Sequence, residues 1–262
     1  MSGLILINVF HGTDLFTTNE NYHPGGSPNN AFDGNTYTKF KPSSQYSWSI
    51  SGIENINPVI VDTFAISGIK NIPDDLTNIK LIGADNPEFS NPNTIALISK
   101  SDIDNGILMA TSSNNIAYGN IRIQISTSET PINSVEISNI IIGKRVNKPG
   151  GIAAPYTPPK LSAKTEILNN RTMGGNFVGR SVLSGQYDFI IKNKNVSPEW
   201  IEENWLDLHK QISEKPFMYL WDDTRPQDAV FCWTKGDIPP PKYDNQCYFS
   251  FSIPCNGFIE ND

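Results

Sequence analysis

Asp33, Asn35, Thr36 and Thr38 gather side-chain oxygens into six residues around Gly34. Asp33-Gly34 is a turn dipeptide, because Gly takes positive φ without penalty and Asp can bond its own backbone. Thr38 follows Asp33 by five residues. A loop of this kind can aim carboxylate, hydroxyl and carbonyl oxygens inward, the donor set a hard cation such as calcium requires. A plain polar surface turn uses the same residue types, and composition alone favours that simpler use.

Other stretches with chemical residue types fall short of known constellations. Gly174, Gly175 and Gly179 lack the spacing of a dinucleotide fingerprint, and no long helix follows them. Gly179-Arg-Ser181-Val-Leu183 lacks the second Gly of a nucleophile elbow. A hairpin or close-packed turn is the better reading of this stretch. His209 stands alone on a helical face, where a partly buried polar residue is more common than a ligand. Glu202-Glu203 and Asp222-Asp223 suit solvated helix faces and turns. Asn170-Arg-Thr172 and Asn195-Val-Ser197 match the glycosylation sequon by chance. Cys232, Cys247 and Cys255 are odd in number, and their spacing matches no zinc pattern, so buried free thiols are expected. No nucleophile–base pair, metal triad or phosphate loop emerges, and the chain reads as a non-enzyme.

The elements that must carry these residues follow from the rest of the chain. It has 262 residues, a formal net charge of −7 and 18% charged side chains. That balance argues against nucleic acid, which demands a basic surface. The run Leu4-Ile-Leu-Ile-Asn-Val-Phe10 is too short to span a membrane and lacks the cationic flank of a signal peptide, so it reads as a first strand. No membrane insertion is expected, and synthesis in a cytoplasm is. Composition shifts near residue 146: one Trp (Trp48) precedes it and four (Trp200, Trp205, Trp221, Trp233) follow. Residues 147–159 are rich in Pro and Gly, which makes a linker or extended arm. The expected organisation is a β-domain over 1–146, an arm over 147–159 and a second domain over 160–262.

In the first part, Val59-Ile-Val-Asp-Thr-Phe-Ala-Ile-Ser67 alternates as a half-buried strand does. Asn78–Gly83, Ile95–Ile98, Ile121–Ile125 and Val135–Ile142 add further strands. β-Branched residues dominate and no long 3.6-residue period appears, so an antiparallel sandwich or barrel is favoured. In the second part, Leu161–Phe189 reads as strands around a Gly-rich turn. Ser197-Pro198-Glu199 opens a helix, with Ser as cap, Pro in the first turn and an acid at the positive end. Ile201, Trp205, Leu208 and Ile212 form its apolar stripe, which Trp200 and Leu206 widen. Phe217–Trp221, Ala229–Trp233 and Cys247–Ile253 are apolar-aromatic strands, giving an α+β unit with one main helix.

Ala31-Phe-Asp33-Gly34-Asn35-Thr-Tyr-Thr38-Lys-Phe40 resembles the signature loop of discoidin-like, galactose-binding-type β-sandwich modules, with Phe40 where the family usually has Trp and Tyr37 where an acid often stands. Trp48, Phe64–Gly68, Ile121–Ile123 and Val135–Ile137 extend the resemblance over residues 10–145. It implies a jelly-roll sandwich and, in calcium-binding members, a structural Ca2+ held by Asp33, Thr38, loop carbonyls and Glu136. Glu136 would equally suit the solvent face of a strand. Modules of this family bind glycans, lipids or proteins through loops at one end of the sandwich. Loop aromatics available for sugar stacking are Tyr22, His23, Tyr37, Tyr46, Phe89 and Tyr118, of which Tyr22, His23 and Tyr118 are taken as ligand-binding candidates.

The second part resembles tail proteins of tailed bacteriophages through Ala154-Pro-Tyr-Thr-Pro-Pro159, Phe177-Val-Gly-Arg-Ser181, the Pro198-Glu-Trp-Ile201 helix start and Phe217-Met-Tyr-Leu-Trp221. Its strand–helix–strand layout is similar to the tail-tube and distal-tail fold, whose subunits form rings. The resemblance implies a virion tail protein, made in the host cytoplasm, with a homo-oligomer and other tail proteins as partners and a host surface glycan as ligand. A purely architectural or decoration role without glycan binding is one alternative. A polysaccharide depolymerase subunit is another, although no pair of carboxylates across a cleft can be chosen from the sequence. A cellular glycan-binding protein is a third, disfavoured by the missing secretion signal.

Overall fold

The computed structural model describes residues 4–8, 16–18, 25–42, 47–52, 59–104, 106, 108–112, 117–127, 135–147, 155–245 and 247–258. In chain order the first strands are β1 (Leu4–Asn8), β2 (Phe16–Thr18), β3 (Ser47–Gly52), β4 (Val59–Ile60), β5 (Thr63–Ser67), β6 (Leu76–Ala84) and β7 (Asn93–Ser99). A short helix, α1 (Lys100–Asp104), precedes β8 (Met109–Thr111), β9 (Ala117–Tyr118), β10 (Asn120–Thr127) and β11 (Asn139–Asn147). After the arm come β12 (Ala163–Arg171), β13 (Phe177–Val196) and the main helix α2 (Pro198–Glu214). The chain then forms β14 (Phe217–Leu220), β15 (Val230–Thr234), β16 (Lys242–Asn245) and β17 (Tyr248–Phe258). The protein is mainly β with one main helix.

A five-stranded antiparallel sheet, ordered β2-β3-β10-β6-β7, packs over β5 and β11 to make a sandwich. Phe64, Ile66, Ile140 and Ile142 face Ile79, Leu81, Ile121, Ile123 and Ile125 in its core. Successive strand residues point to opposite faces, so Ala65 and Ile141 must face away from that core. They are nevertheless buried, in a second cluster with Leu6, Met109, Met218, Leu220 and Phe231. Burial on both faces explains why these strands read as unbroken apolar runs. The strand expected from Val135 begins later. Lys70 and Phe40 bridge Glu136 and Ile137 singly before β11 starts at Asn139.

The second sheet runs without interruption across the boundary expected at residue 147. Its order is β12-β13-β17-β15-β14-β1-β11-β5-β8, with β16 added on β17. The link is β1, which pairs with β11 (Leu4↔Asn147 to Asn8↔Gly143) and with β14 (Leu4↔Leu220 to Leu6↔Met218). Ile5 points into the core beneath α2, whereas Leu6 points into the cluster between the halves. One short strand thus contributes to both.

Helix α2 forms as its local signals require. Ser197 caps it, its hydroxyl accepting from the Trp200 N–H at 3.3 Å. Trp205, Leu208 and Ile212 are buried against the sheet and Ile201 is partly buried. Leu206 does not widen the stripe: it is 77% exposed, on the opposite face. Cys232 and Cys255 are buried free thiols, but Cys247 is exposed. Most of the Pro-rich arm (148–154) lies outside the described residues, and its far end packs on its own chain. The Tyr156 hydroxyl is 3.2 Å from that of Tyr219, its ring lies 5.9 Å from Trp221, and Pro159 is buried. No helix among the described residues is long and apolar enough to cross a membrane.

At the far edge of the second sheet, β12 and the first part of β13 extend as a two-stranded ribbon. All nine residues of β12 are exposed. Ile167 pairs with Val182 and Arg171 with Phe177, so these share one face of the ribbon.

Candidate functional site

The Asp33 loop is built by local hydrogen bonds. Ser27 caps a short 3-10 turn (Pro28–Ala31), and the Asn30 amide donates to the carbonyls of Gly25 (2.9 Å) and Lys39 (3.0 Å), tying the two ends of the loop. Gly34 takes φ +75°, which a side chain would resist. Asp33 Oδ1 accepts from the Asn35 N–H at 2.7 Å and Oδ2 accepts from the Thr38 hydroxyl at 2.7 Å. Asn35 Oδ1 in turn accepts from the Tyr37 N–H at 2.9 Å. Phe40, at the position usual for Trp, is fully buried, and its backbone exchanges two hydrogen bonds with Ile137.

Two of the three expected metal ligands, Asp33 and Thr38, are in direct contact and bond to each other. Glu136 Oε1 instead accepts from Lys41 Nζ in an ion pair of 2.5 Å. Lys39, a residue passed over in the sequence, turns back into the loop and donates to the Thr36 carbonyl at 2.9 Å and to the Ser138 hydroxyl. Among the described residues, no three His, Cys, Asp or Glu side chains gather as a metal site would require. In this structure the oxygens of Asp33 and Glu136 Oε1 are thus engaged by N–H, hydroxyl and ammonium donors of the chain itself.

The aromatic candidates separate by burial. Tyr22, His23 and Tyr46 lie outside the described residues. Tyr118, expected in a binding loop, is a core residue instead: it is 5% exposed and its ring lies on Gly83, where a Cβ would stand 2.5 Å from Tyr118 Cγ. Phe89 is buried under the Arg122 guanidinium, 3.9 Å from its ring centre, and burial holds the Arg122 pKa below its usual value. Tyr37 is 92% exposed at the tip of the Asp33 loop.

Carboxylates elsewhere have structural work. Asp62 is buried and accepts from the Thr63 hydroxyl (2.8 Å) and the Arg145 N–H (3.0 Å), with the Arg145 guanidinium 3.4 Å away. Asp222 Oδ1 closes a turn by accepting from the Thr224 N–H and hydroxyl, which lower its pKa. Asp188 accepts from Lys235 (2.8 Å) and Lys164 (3.3 Å), and the Lys235 bond above all holds its pKa down. A cavity of about 290 Å³ lies beside the Asp33 loop, lined by Phe32, Gly34, Asn139, Lys215, Pro216 and Phe231 among others.

The fold and site define a mainly β protein in which a sandwich with a self-bonded Asp-Gly loop shares a sheet with an α+β unit. No protein-family model and no curated protein matches the sequence. Solved structures are similar over half of the chain. The module CBM32-1 from a family 31 glycoside hydrolase of Clostridium perfringens is 10% identical over 49% of this chain and 94% of that one, with a TM-score of 0.36. A family 89 glycoside hydrolase of the same organism, in complex with GlcNAc-alpha-1,4-galactose, is 22% identical over 54% of this chain and 16% of that one, with a TM-score of 0.34. Likenesses this distant carry no argument about ligand or activity.

Proposed function

We propose that the protein is a non-catalytic structural subunit of a larger assembly, of the bacteriophage-tail kind. It associates with further copies of itself through the β12–β13 ribbon and presents its sandwich to host surface glycans. The observation that carries this reading is the ribbon. Phe177 and Val182 are each 65% exposed, with Ile167, Leu168, Met173 and Val178 exposed beside them. A long ribbon with water on both faces, in which β12 is the edge strand among the described residues, is a template for another chain. Its residues 163–182 hold Arg171 and Arg180, besides Lys164 paired with Asp188, against the single acid Glu166, in a chain of net charge −7. The outer face of α2 carries Glu199, Glu202, Glu203, Asp207 and Glu214 against the single cation Lys210 around the exposed Leu206. That acidic face on a second copy is the complementary partner, and contact between two different patches builds rings or filaments. The glycan half of the reading is supported by the signature-loop resemblance and by Tyr37, whose open ring offers a sugar-stacking platform.

Analytical ultracentrifugation of the full chain tests it. Wild type should associate at micromolar concentration. The double variant Phe177→Asp/Val182→Asp should sediment as a monomer with an unchanged melting temperature, since both side chains lie in water. A wild type that stays monomeric throughout, or a double variant that associates equally well, refutes the assembly role. Glycan-array binding lost in Tyr37→Ala is the result expected for the second half, and a wild type that binds no glycan refutes it.

A further inference from the structure

The loop that resembles a calcium site already contains a cation of its own. Lys39 Nζ donates to the Thr36 carbonyl at 2.9 Å and to the Ser138 hydroxyl, and that hydroxyl donates onward to the Gly68 carbonyl at 3.2 Å. The ammonium therefore joins the Asp33 loop to the chain entering β11 and, through Ser138, to the end of β5. Space for this relay is specific. Gly68 takes φ +67°, and a Cβ there would lie 2.0 Å from Ser138 Oγ and 3.5 Å from Lys39 Nζ. Lys41 neutralises Glu136 at 2.5 Å, and both oxygens of Asp33 are occupied by donors from within the loop.

We propose that the Lys39 ammonium is the resident cation of this loop and takes the structural role that a divalent ion has in the modules the loop resembles. An ammonium offers three donors, and here they tie a loop carbonyl, that of Thr36, to the Ser138 hydroxyl outside the loop. Being tethered, it needs no free ion, and its charge repels a second cation from the loop. The stability of the sandwich is then independent of calcium, whatever the protein binds or builds.

Thermal melts of the full chain test this with calcium and with chelator. Wild type should melt at one temperature in both. Lys39→Met, which keeps the stem and removes the charge, should melt about 3–8 °C lower in both, the range expected for losing hydrogen bonds from a charged donor in a chain of this size. Calorimetric titration of wild type with calcium alone should show no stoichiometric binding. A wild type raised in melting temperature by calcium, stoichiometric heat in the titration, or a Lys39→Met that melts with wild type each overturns the proposal. If Lys39→Met does not fold, the wild-type titration still decides against the proposal or for it.

Discussion

Leu6→Ala is the sharpest perturbation of the way the two halves are joined. Leu6 is fully buried in the cluster with Ala65, Met109, Ile141, Met218, Leu220 and Phe231, drawn from both halves of the chain. Its backbone lies between Arg145 of β11 and Met218 of β14, so the surrounding ladder leaves little freedom for collapse. Leu→Ala at such a site costs about 2–5 kcal/mol, from lost transfer energy and the cavity left behind. At about 2–4 °C per kcal/mol for a chain of this size, the melting temperature should fall by roughly 5–15 °C. The assay is a melt followed by far-UV circular dichroism and by Trp fluorescence. Four of the five Trp lie after residue 160, so fluorescence reports mainly on the second half. A sheet that runs through β1 makes the halves unfold together, and both signals should shift by the same amount in one transition. Two separate transitions, with the fluorescence midpoint unmoved, would show that the continuous sheet does not couple the halves.

Two other outcomes follow from single sites. Gly68→Ala should destabilise by more than about 2 kcal/mol, because it combines a positive φ with a Cβ driven into Ser138; a denaturant midpoint equal to wild type contradicts that geometry. Asp188 has its folded pKa lowered by Lys235 and Lys164, so its contribution is present above the ordinary Asp pKa and lost as pH falls through the lowered value. Asp188→Asn should thus melt below wild type near neutral pH, with the gap closing in acid below the usual Asp range; a gap independent of pH removes the ion pair from the stability account.

Local rules make much of the architecture legible in the sequence alone. The Ser197-Pro198-Glu199 start, the alternation in Ile121–Ile125 and the turn at Asp33-Gly34 depend on neighbours within a few residues, and each element forms where those neighbours put it. The glycine-rich turn after Arg171 is a hairpin for the same reason. What sequence could not decide depends on partners far along the chain. Leu4–Asn8 reads as a strand, but only the tertiary fold places it between β11 and β14, more than a hundred residues away in sequence. Tyr118 and Tyr37 are both loop tyrosines by composition, and it is the absence of a side chain at Gly83 that lets one ring sink into the core while the other stays in water. Lys39 looks like a surface lysine until Ser138, ninety-nine residues later, supplies its acceptor. Periodicity and turn chemistry are short-range and written residue by residue. The partner of a charge, and the depth of a ring, are set by packing among segments that sequence order does not bring together.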